Sequence, residues 1–358
     1  MSTPNEAQKI AITHKEGPMM VLAGPGSGKT TVITERTRYL IEQGKIPPSH
    51  ILVITFTKAA AAEMRQRFDQ LMGKKLSVSF GTFHAVFFTI LRHAYGYRYE
   101  HILTEEHKRQ MIQEVLYEEQ VDMAGESDFV SAIINEISLV KGEMIPLDHY
   151  YSSQCSNEVF QDIFCGYEKK LRANHKIDFD DMLVFTYELL KERKDILALW
   201  QKKFRYILID EFQDINLVQY KIIKMLAEPE NNLFIVGDDD QSIYRFRGAK
   251  PDIMLGFERD YQNTKKVLLD VNYRCSEEIL LEAQKVIGKN EKRFPKKLTA
   301  FCGKKAPVHY VECKNQFEEN QKIIEVLQRY QKEGKSLDRC AVLFRTNIQP
   351  RLLIGKLM

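Results

Sequence analysis

Five short, uninterrupted apolar runs punctuate the first two thirds of the chain, at residues 19–23, 51–56, 78–82, 206–209 and 233–237. Runs of this length without polar alternation are expected of parallel strands whose sheet is covered by helices on both faces. Between them the period becomes helical. Residues 30–43 carry Val32, Ile33, Leu40 and Ile41 at helical spacing, and Gly44 stands where a C-terminal cap belongs. Residues 59–72 are rich in Ala, Met and Gln, all good helix formers. The pattern predicts an α/β fold built on a parallel sheet.

Two stretches depart from that alternation. Between Thr82 and Tyr206 lie about 120 residues of helical periodicity with no predicted strand, too long for a loop in a compact domain. An inserted helical subdomain is therefore expected at 99–176, with 1–98 and 177–264 forming one α/β domain around it. From Lys265 a second strand–helix series begins, with strands expected at 267–272, 308–313 and 340–345 and helices at 277–287 and 317–333. It reads as the opening of another α/β domain, 265–358. No internal repeat or low-complexity tract interrupts the chain.

At 358 residues, 44% hydrophobic and 28% charged, the composition is that of a soluble globular protein of two or three domains. No run approaches 18 apolar residues, and the N-terminus lacks the apolar core of a secretion signal. The six cysteines form no CxxC pair and have no His at zinc spacing, so reduced thiols and a cytoplasmic location are expected. The net charge of +3 conceals a split: Lys265 to the end carries 20 basic and 11 acidic residues, the rest 32 and 38. Lys289, Lys292, Arg293, Lys296, Lys297, Lys304 and Lys305 crowd into one stretch. Two readings are open for them, a solvated face or a contact for a phosphate-rich partner.

Three motifs carry chemistry. Ala23-Gly24-Pro25-Gly26-Ser27-Gly28-Lys29-Thr30 follows a strand and opens a helix, the context of a phosphate-binding loop. There Lys29 would reach the β and γ phosphates and the Thr30 hydroxyl would bind Mg²⁺. Tyr206-Ile207-Leu208-Ile209-Asp210-Glu211-Phe212-Gln213-Asp214 delivers Asp210 and Glu211 at a strand's C-terminal end. Asp210 suits Mg²⁺, and Glu211 suits a general base orienting the attacking water. The third motif begins at Leu233 and continues through Asp238-Asp239-Asp240-Gln241-Ser242-Ile243-Tyr244-Arg245-Phe246-Arg247. Gln241 could contact the γ-phosphate and the water. Tyr244 and Phe246, interleaved with arginines, read either as core or as base-stacking residues.

In order and spacing these motifs resemble the UvrD/Rep type of superfamily 1 DNA helicases, and the resemblance runs over the whole chain. Further segments carry it: Thr3-Pro4-Asn5-Glu6-Ala7-Gln8, Ile54-Thr55-Phe56-Thr57-Lys58-Ala59-Ala60, Gly81-Thr82-Phe83-His84, Ile177-Asp178-Phe179-Asp180-Asp181-Met182 and Asn272-Tyr273-Arg274-Cys275-Ser276. The resemblance implies a RecA-like P-loop motor with an inserted helical subdomain and part of a second RecA-like domain. It implies ATP and Mg²⁺ as cofactors, and movement 3′ to 5′ on single-stranded DNA, with single-strand/duplex junctions as partners. Gln8 would read adenine, Tyr273 would stack on it, and Arg247 and Arg274 would sense the γ-phosphate. Phe56, Thr57, Thr82, His84, Phe179, Tyr244 and Phe246 would line the DNA path. His84 also reads as a core histidine, and Asp180 and Asp181 read as helix-capping residues before a metal pair.

The chain departs from the family pattern at Ala23, where glycine is usual, at Thr31, where arginine often follows the loop threonine, and at Phe246, where tryptophan is usual. The family's later motifs, including an arginine finger, do not appear before Met358. A truncated motor is therefore expected, with a nucleotide- and DNA-binding module of little turnover as the rival reading.

Overall fold

The computed structural model describes residues 3–122, 125–245, 248–346 and 348–357. In chain order its elements begin with α1 (Glu6–Thr13), β1 (Met19–Ala23), α2 (Lys29–Glu42), β2 (Ile51–Thr55), α3 (Lys58–Met72), β3 (Ser79–Thr82) and α4 (Phe83–Tyr95). There follow α5 (Glu105–Glu118), α6 (Ser127–Glu143), α7 (Asn157–Ala173), α8 (Phe179–Glu192) and α9 (Lys194–Lys203). Next come β4 (Tyr206–Ile209), α10 (Leu217–Ala227), β5 (Leu233–Gly237), α11 (Pro251–Leu255), α12 (Phe257–Asp260) and β6 (Lys265–Leu269). The chain continues through β7 (Val271–Asn272), α13 (Glu277–Ile287), β8 (Thr299–Ala300), α14 (Gln316–Lys332) and α15 (Arg351–Leu357). It divides into two compact units, Met1–Lys305 and Ala306–Met358.

The first unit is built on a six-stranded, all-parallel sheet of order β3-β2-β4-β5-β1-β6. Its strands alternate between two cores. Met20, Leu22, Leu52, Ile54, Ile207, Ile209 and Ile235 face a core that includes residues of α4, α8, α9 and α10. Met19, Val21, Ile51, Val53, Leu208, Phe234 and Val236 face the other, which includes residues of α1, α2 and α3. Each fully buried aliphatic side chain contributes about 1.5–3 kcal/mol, so the sheet needs apolar residues at both parities. This is why the runs of β1, β2, β4 and β5 read as continuous; β3, at the sheet edge, is only partly buried. The α/β architecture is the one a RecA-like helicase fold requires.

Helix starts are set by side chains that satisfy the otherwise unpaired N–H groups. Asn5 and Gln8 close a capping box on α1, Thr57 caps α3, Thr82 caps α4, and Asp178 with Asp181 boxes α8. Where an interruption was expected, α5, α6 and α7 pack around a core of their own that includes Ile112, Val115, Ile133, Ile137, Phe160 and Ile163.

The second strand–helix series differs from the sequence expectation. Its first strand does not begin a new sheet: residues Lys265–Leu269 pair parallel with β1, register Met19↔Lys265 to Ala23↔Leu269, and form the edge of the first sheet. Lys265 and Lys266 are exposed there, as suits an edge strand that must resist further pairing. Val271–Asn272 then pairs with Thr299–Ala300 in a separate two-stranded sheet. The strands expected at 308–313 and 340–345 form no ladder; Val308, Tyr310, Val311 and Leu343 are exposed. Within the second unit, α14 is the longest element, with α15 beside it.

Candidate nucleotide and nucleic-acid site

In parallel α/β sheets, ligands gather where the strands end. β1 runs out at Ala23 into the glycine-rich loop and α2; β4 ends at Asp210; β5 leads into Asp238–Gln241; β6 leads toward Tyr273; β2 and β3 end at Phe56-Thr57 and Thr82. One edge of the sheet thus carries most of the predicted residues.

The loop is shaped by two backbone positions that an L side chain would strain. Gly28 caps α2 at φ +87°, and Gly26 at φ +65° sits where an added Cβ would meet Arg274 Cβ at 2.6 Å. The following segment lies directly on the loop: Tyr273 N–H donates to Gly26 O (3.0 Å), and Asn272 Nδ2 to Pro25 O (2.8 Å). From the other side, Gln8 Nε2 donates to Ser27 O (3.0 Å), while Asn5 Nδ2 donates to the Tyr273 hydroxyl (3.0 Å). Gln8 and Tyr273, far apart in sequence, therefore flank one loop. Thr30 is partly buried, and Thr31 and Arg274 are exposed.

Lys29 Nζ donates to Glu211 Oε2 at 2.9 Å. Glu211 holds φ +49°, ψ +45°, a left-handed conformation that costs a non-glycine residue about 1–3 kcal/mol and tends to persist at functional sites. Burial, and then the Glu211 charge, pushes Asp210 up to about 6, with Lys29 pulling the other way. Asp214 is pushed up to about 6 by the same causes, and its Oδ1 is buried without a hydrogen-bond partner among the described residues. Acids so raised, beside the glycine-rich loop, fit a divalent cation, which would favour their ionised form. Among the described residues no three His, Cys, Asp or Glu side chains converge as a metal cage.

Gln213, to which the sequence reading assigned no role, links these parts. Its Nε2 donates to Glu211 Oε2 (3.0 Å) and Asp214 Oδ2 (3.3 Å), and its Oε1 accepts Asp238 N–H (3.0 Å). Gln241 Nε2 donates to Asp238 Oδ2 at 2.7 Å. The only sequence signal for Gln213, Asp214 and Asn272 was their place within the quoted motifs.

The predicted nucleic-acid residues form two aromatic pairs. Phe56 and Tyr244 stack at 5.3 Å between centroids, 23° between planes. His84 meets Phe179 edge-on at 5.4 Å, and burial lowers the His84 pKa. Phe179 opens α8 and is 36% exposed, so a ring face remains available there. Thr57 and Thr82 both serve as helix caps. Asp180 and Asp181 are not a metal pair: Asp180 accepts from Lys108 and Asp181 from Lys141, each at 2.7 Å. Phe246 and Arg247 lie outside the described residues.

A family model described as the UvrD/REP helicase N-terminal domain matches residues 4–262, and one described as the UvrD-like helicase C-terminal domain matches 267–358. Across 99% of its length the chain is 40% identical to a Bacillus subtilis (strain 168) protein, YjcD, and covers 47% of it. Across 98% it is 35% identical to the ATP-dependent DNA helicase PcrA of Staphylococcus aureus, covering 48%. It is 36% identical to PcrA of Staphylococcus epidermidis, covering 49%. The chain spans about half the length of the curated relatives it matches.

Proposed function

Because the chain belongs to the UvrD/REP helicase family, we propose that it is an ATP-dependent DNA helicase or translocase motor acting 3′ to 5′ on single-stranded DNA, with single-strand/duplex junctions as its substrate. The observation that carries this reading is the Lys29–Glu211 contact beside Asp210 at one strand edge, with Gln8 and Tyr273 both bonded across the same loop.

In this reading Lys29 and the loop amides bind the phosphates, and Thr30 and Asp210 hold Mg²⁺. Bound Mg²⁺ neutralises charge developing on the β and γ phosphates. Glu211 Oε2, to which Lys29 donates, takes the proton of the attacking water. Gln241, Arg247 and Arg274 contact the γ-phosphate, while Gln8 and Tyr273 hold the base. Phe56, Tyr244, Phe179 and Phe246 offer ring faces to bases, with Thr57, Thr82 and His84 along the same path; stacking of this kind is worth about 1–3 kcal/mol per base.

Steady-state ATP hydrolysis with and without oligo-dT tests the motor, and unwinding of duplexes with a 3′ or a 5′ single-stranded tail tests its direction. Turnover stimulated by DNA and lowered about 10²–10³-fold in Lys29→Ala is the expected result. If Lys29→Ala hydrolysed ATP as well as the unmodified chain, the site assignment would be wrong. Nucleotide and DNA binding without stimulated turnover would favour a binding module over a motor.

A further inference from the structure

The basic stretch at 289–305 is open, in the sequence, between a solvated face and a phosphate contact. Two of its members do neither. Lys296 Nζ lies 2.5 Å from Asp238 Oδ1, 2.5 Å from Asp239 Oδ1 and 2.9 Å from Asp240 Oδ2. An ammonium has three N–H groups, and all three are directed into this acidic run. The side chains of Lys296, Asp238 and Asp239 are each 1% exposed. Arg293 adds a bidentate pair to Asp240, both contacts at 2.7 Å, and Phe294 N–H donates to Asp239 Oδ2 at 2.8 Å.

The cluster matters because of what its remaining oxygen does. Asp238 Oδ2 accepts the Gln241 amide, and Asp238 N–H is bonded to Gln213, which itself touches Glu211. A buried carboxylate orients an amide only while its own position is fixed. Lys296 fixes Asp238 from the Oδ1 side. Without that ammonium, three adjacent buried carboxylates are left one cation short, which is unfavourable. Asp238 is then free to turn away, and Gln241 loses its fixed acceptor.

We infer that Lys296 is a positioning residue for γ-phosphate sensing: it holds Asp238 in place, and Asp238 presents the Gln241 amide in a single orientation. Lys296 lies in the region matched by the C-terminal family model, and Asp238–Gln241 in the region matched by the N-terminal one. The buried cluster therefore joins the two family regions directly behind Gln241. The inference rests on the reading of Gln241 as a γ-phosphate sensor.

The test uses the full chain and fluorescent mant-ATP and mant-ADP with Mg²⁺. The quantity measured is the ratio of the two dissociation constants, which requires no turnover. Coupling between sites is commonly 5–150-fold, so Lys296→Met is expected to lower the preference for the triphosphate by at least about fivefold. Gln241→Ala should lower it equally, and the double variant no further. A Lys296→Met chain with the unmodified ratio, or a loss that adds to that of Gln241→Ala, overturns the inference. So does a Gln241→Ala chain that keeps the full ratio. If the unmodified chain binds no mant-ATP, or Lys29→Ala binds it undiminished, the nucleotide-site reading itself fails and takes this inference with it. Should Lys296→Met melt below the assay temperature, Lys296→Met/Asp239→Asn, which removes one charge of each sign, is measured in its place against the same outcomes.

Discussion

Two clusters of buried charge in the first unit, besides that around Lys296, treat burial differently. Where α8 meets the inserted helices, Lys108 lies 3.0 Å from Asp178 and 2.7 Å from Asp180, while Lys141 lies 2.7 Å from Asp181 and 2.6 Å from Glu168. Tyr167 adds a hydroxyl donated to Asp178 at 2.8 Å. Burial opposes every charge there. The lysines nonetheless hold Asp178 well below the usual carboxylate range, and the acids hold both lysines above theirs, while burial and then the Asp178 charge push Asp181 up to about 7. At the nucleotide end, Asp210, Glu211 and Asp214 share Lys29, and the desolvation of Asp210 and Asp214 goes largely uncompensated. At the first, each acid has a lysine in contact; at the second, Lys29 is bonded to Glu211, and no lysine or arginine among the described residues pairs with Asp210 or Asp214. Direct pairing, rather than burial alone, separates the joint from the proposed site.

The largest expected effect strikes the joint. Lys141→Met leaves Asp178, Asp181 and Glu168 short of a cation and should cost about 3–5 kcal/mol in urea unfolding, with ATP turnover per folded molecule little changed. A loss below 1 kcal/mol would erase the distinction between the two clusters. Lys29→Ala should do the reverse. It is expected to lower kcat about 10²–10³-fold, as removal of an oriented charge stabiliser does. Its effect on melting should be small, because its partner Glu211 is more than a third exposed.

Asp210 sharpens the contrast through pH. Its folded-state pKa, about 6, lies above the unfolded value of 3.8, so the folded chain binds more protons between them. Its contribution to stability is therefore fully present below pH 3.8 and is lost as pH rises through 6. Asp210→Asn should remove that slope and stabilise the nucleotide-free chain at pH 7 by on the order of 1–3 kcal/mol, while abolishing Mg²⁺-dependent hydrolysis. Unfolding curves at pH 5 and pH 7 test this; equal slopes in the two proteins would mean Asp210 is not strained. Smallest is the effect at the aromatic pair: Tyr244→Ala should weaken oligo-dT binding by about 1–2 kcal/mol in fluorescence anisotropy, without changing nucleotide affinity.

Much of this was visible in the chain itself. The four central strands β1, β2, β4 and β5 were legible because a sheet covered on both faces leaves no polar parity, and the glycine-rich loop was legible because its glycines, lysine and threonine are adjacent. The membership of Lys265–Leu269 in the first sheet was not, because a parallel strand chooses its neighbour across hundreds of residues and nothing local records the choice. Lys296 was hidden for a related reason. Among Lys289, Lys292, Lys297 and Lys305 it looks like one more surface lysine, and only folding brings Asp238, Asp239 and Asp240 around it. Gln213 was quoted within a motif, yet its bonds to Glu211 and Asp238 join the ends of two strands distant in sequence.

The sequence by itself determined which strands are buried, where the glycine-rich loop lies between strand and helix, and which acids and aromatics follow the strand ends. Periodicity and short-range spacing encode these, because helix, strand and turn are local solutions to local steric and hydrogen-bonding demands. Only the tertiary structure decided which charges are paid for by a partner and which remain raised, since that depends on the burial and neighbours that distant segments supply.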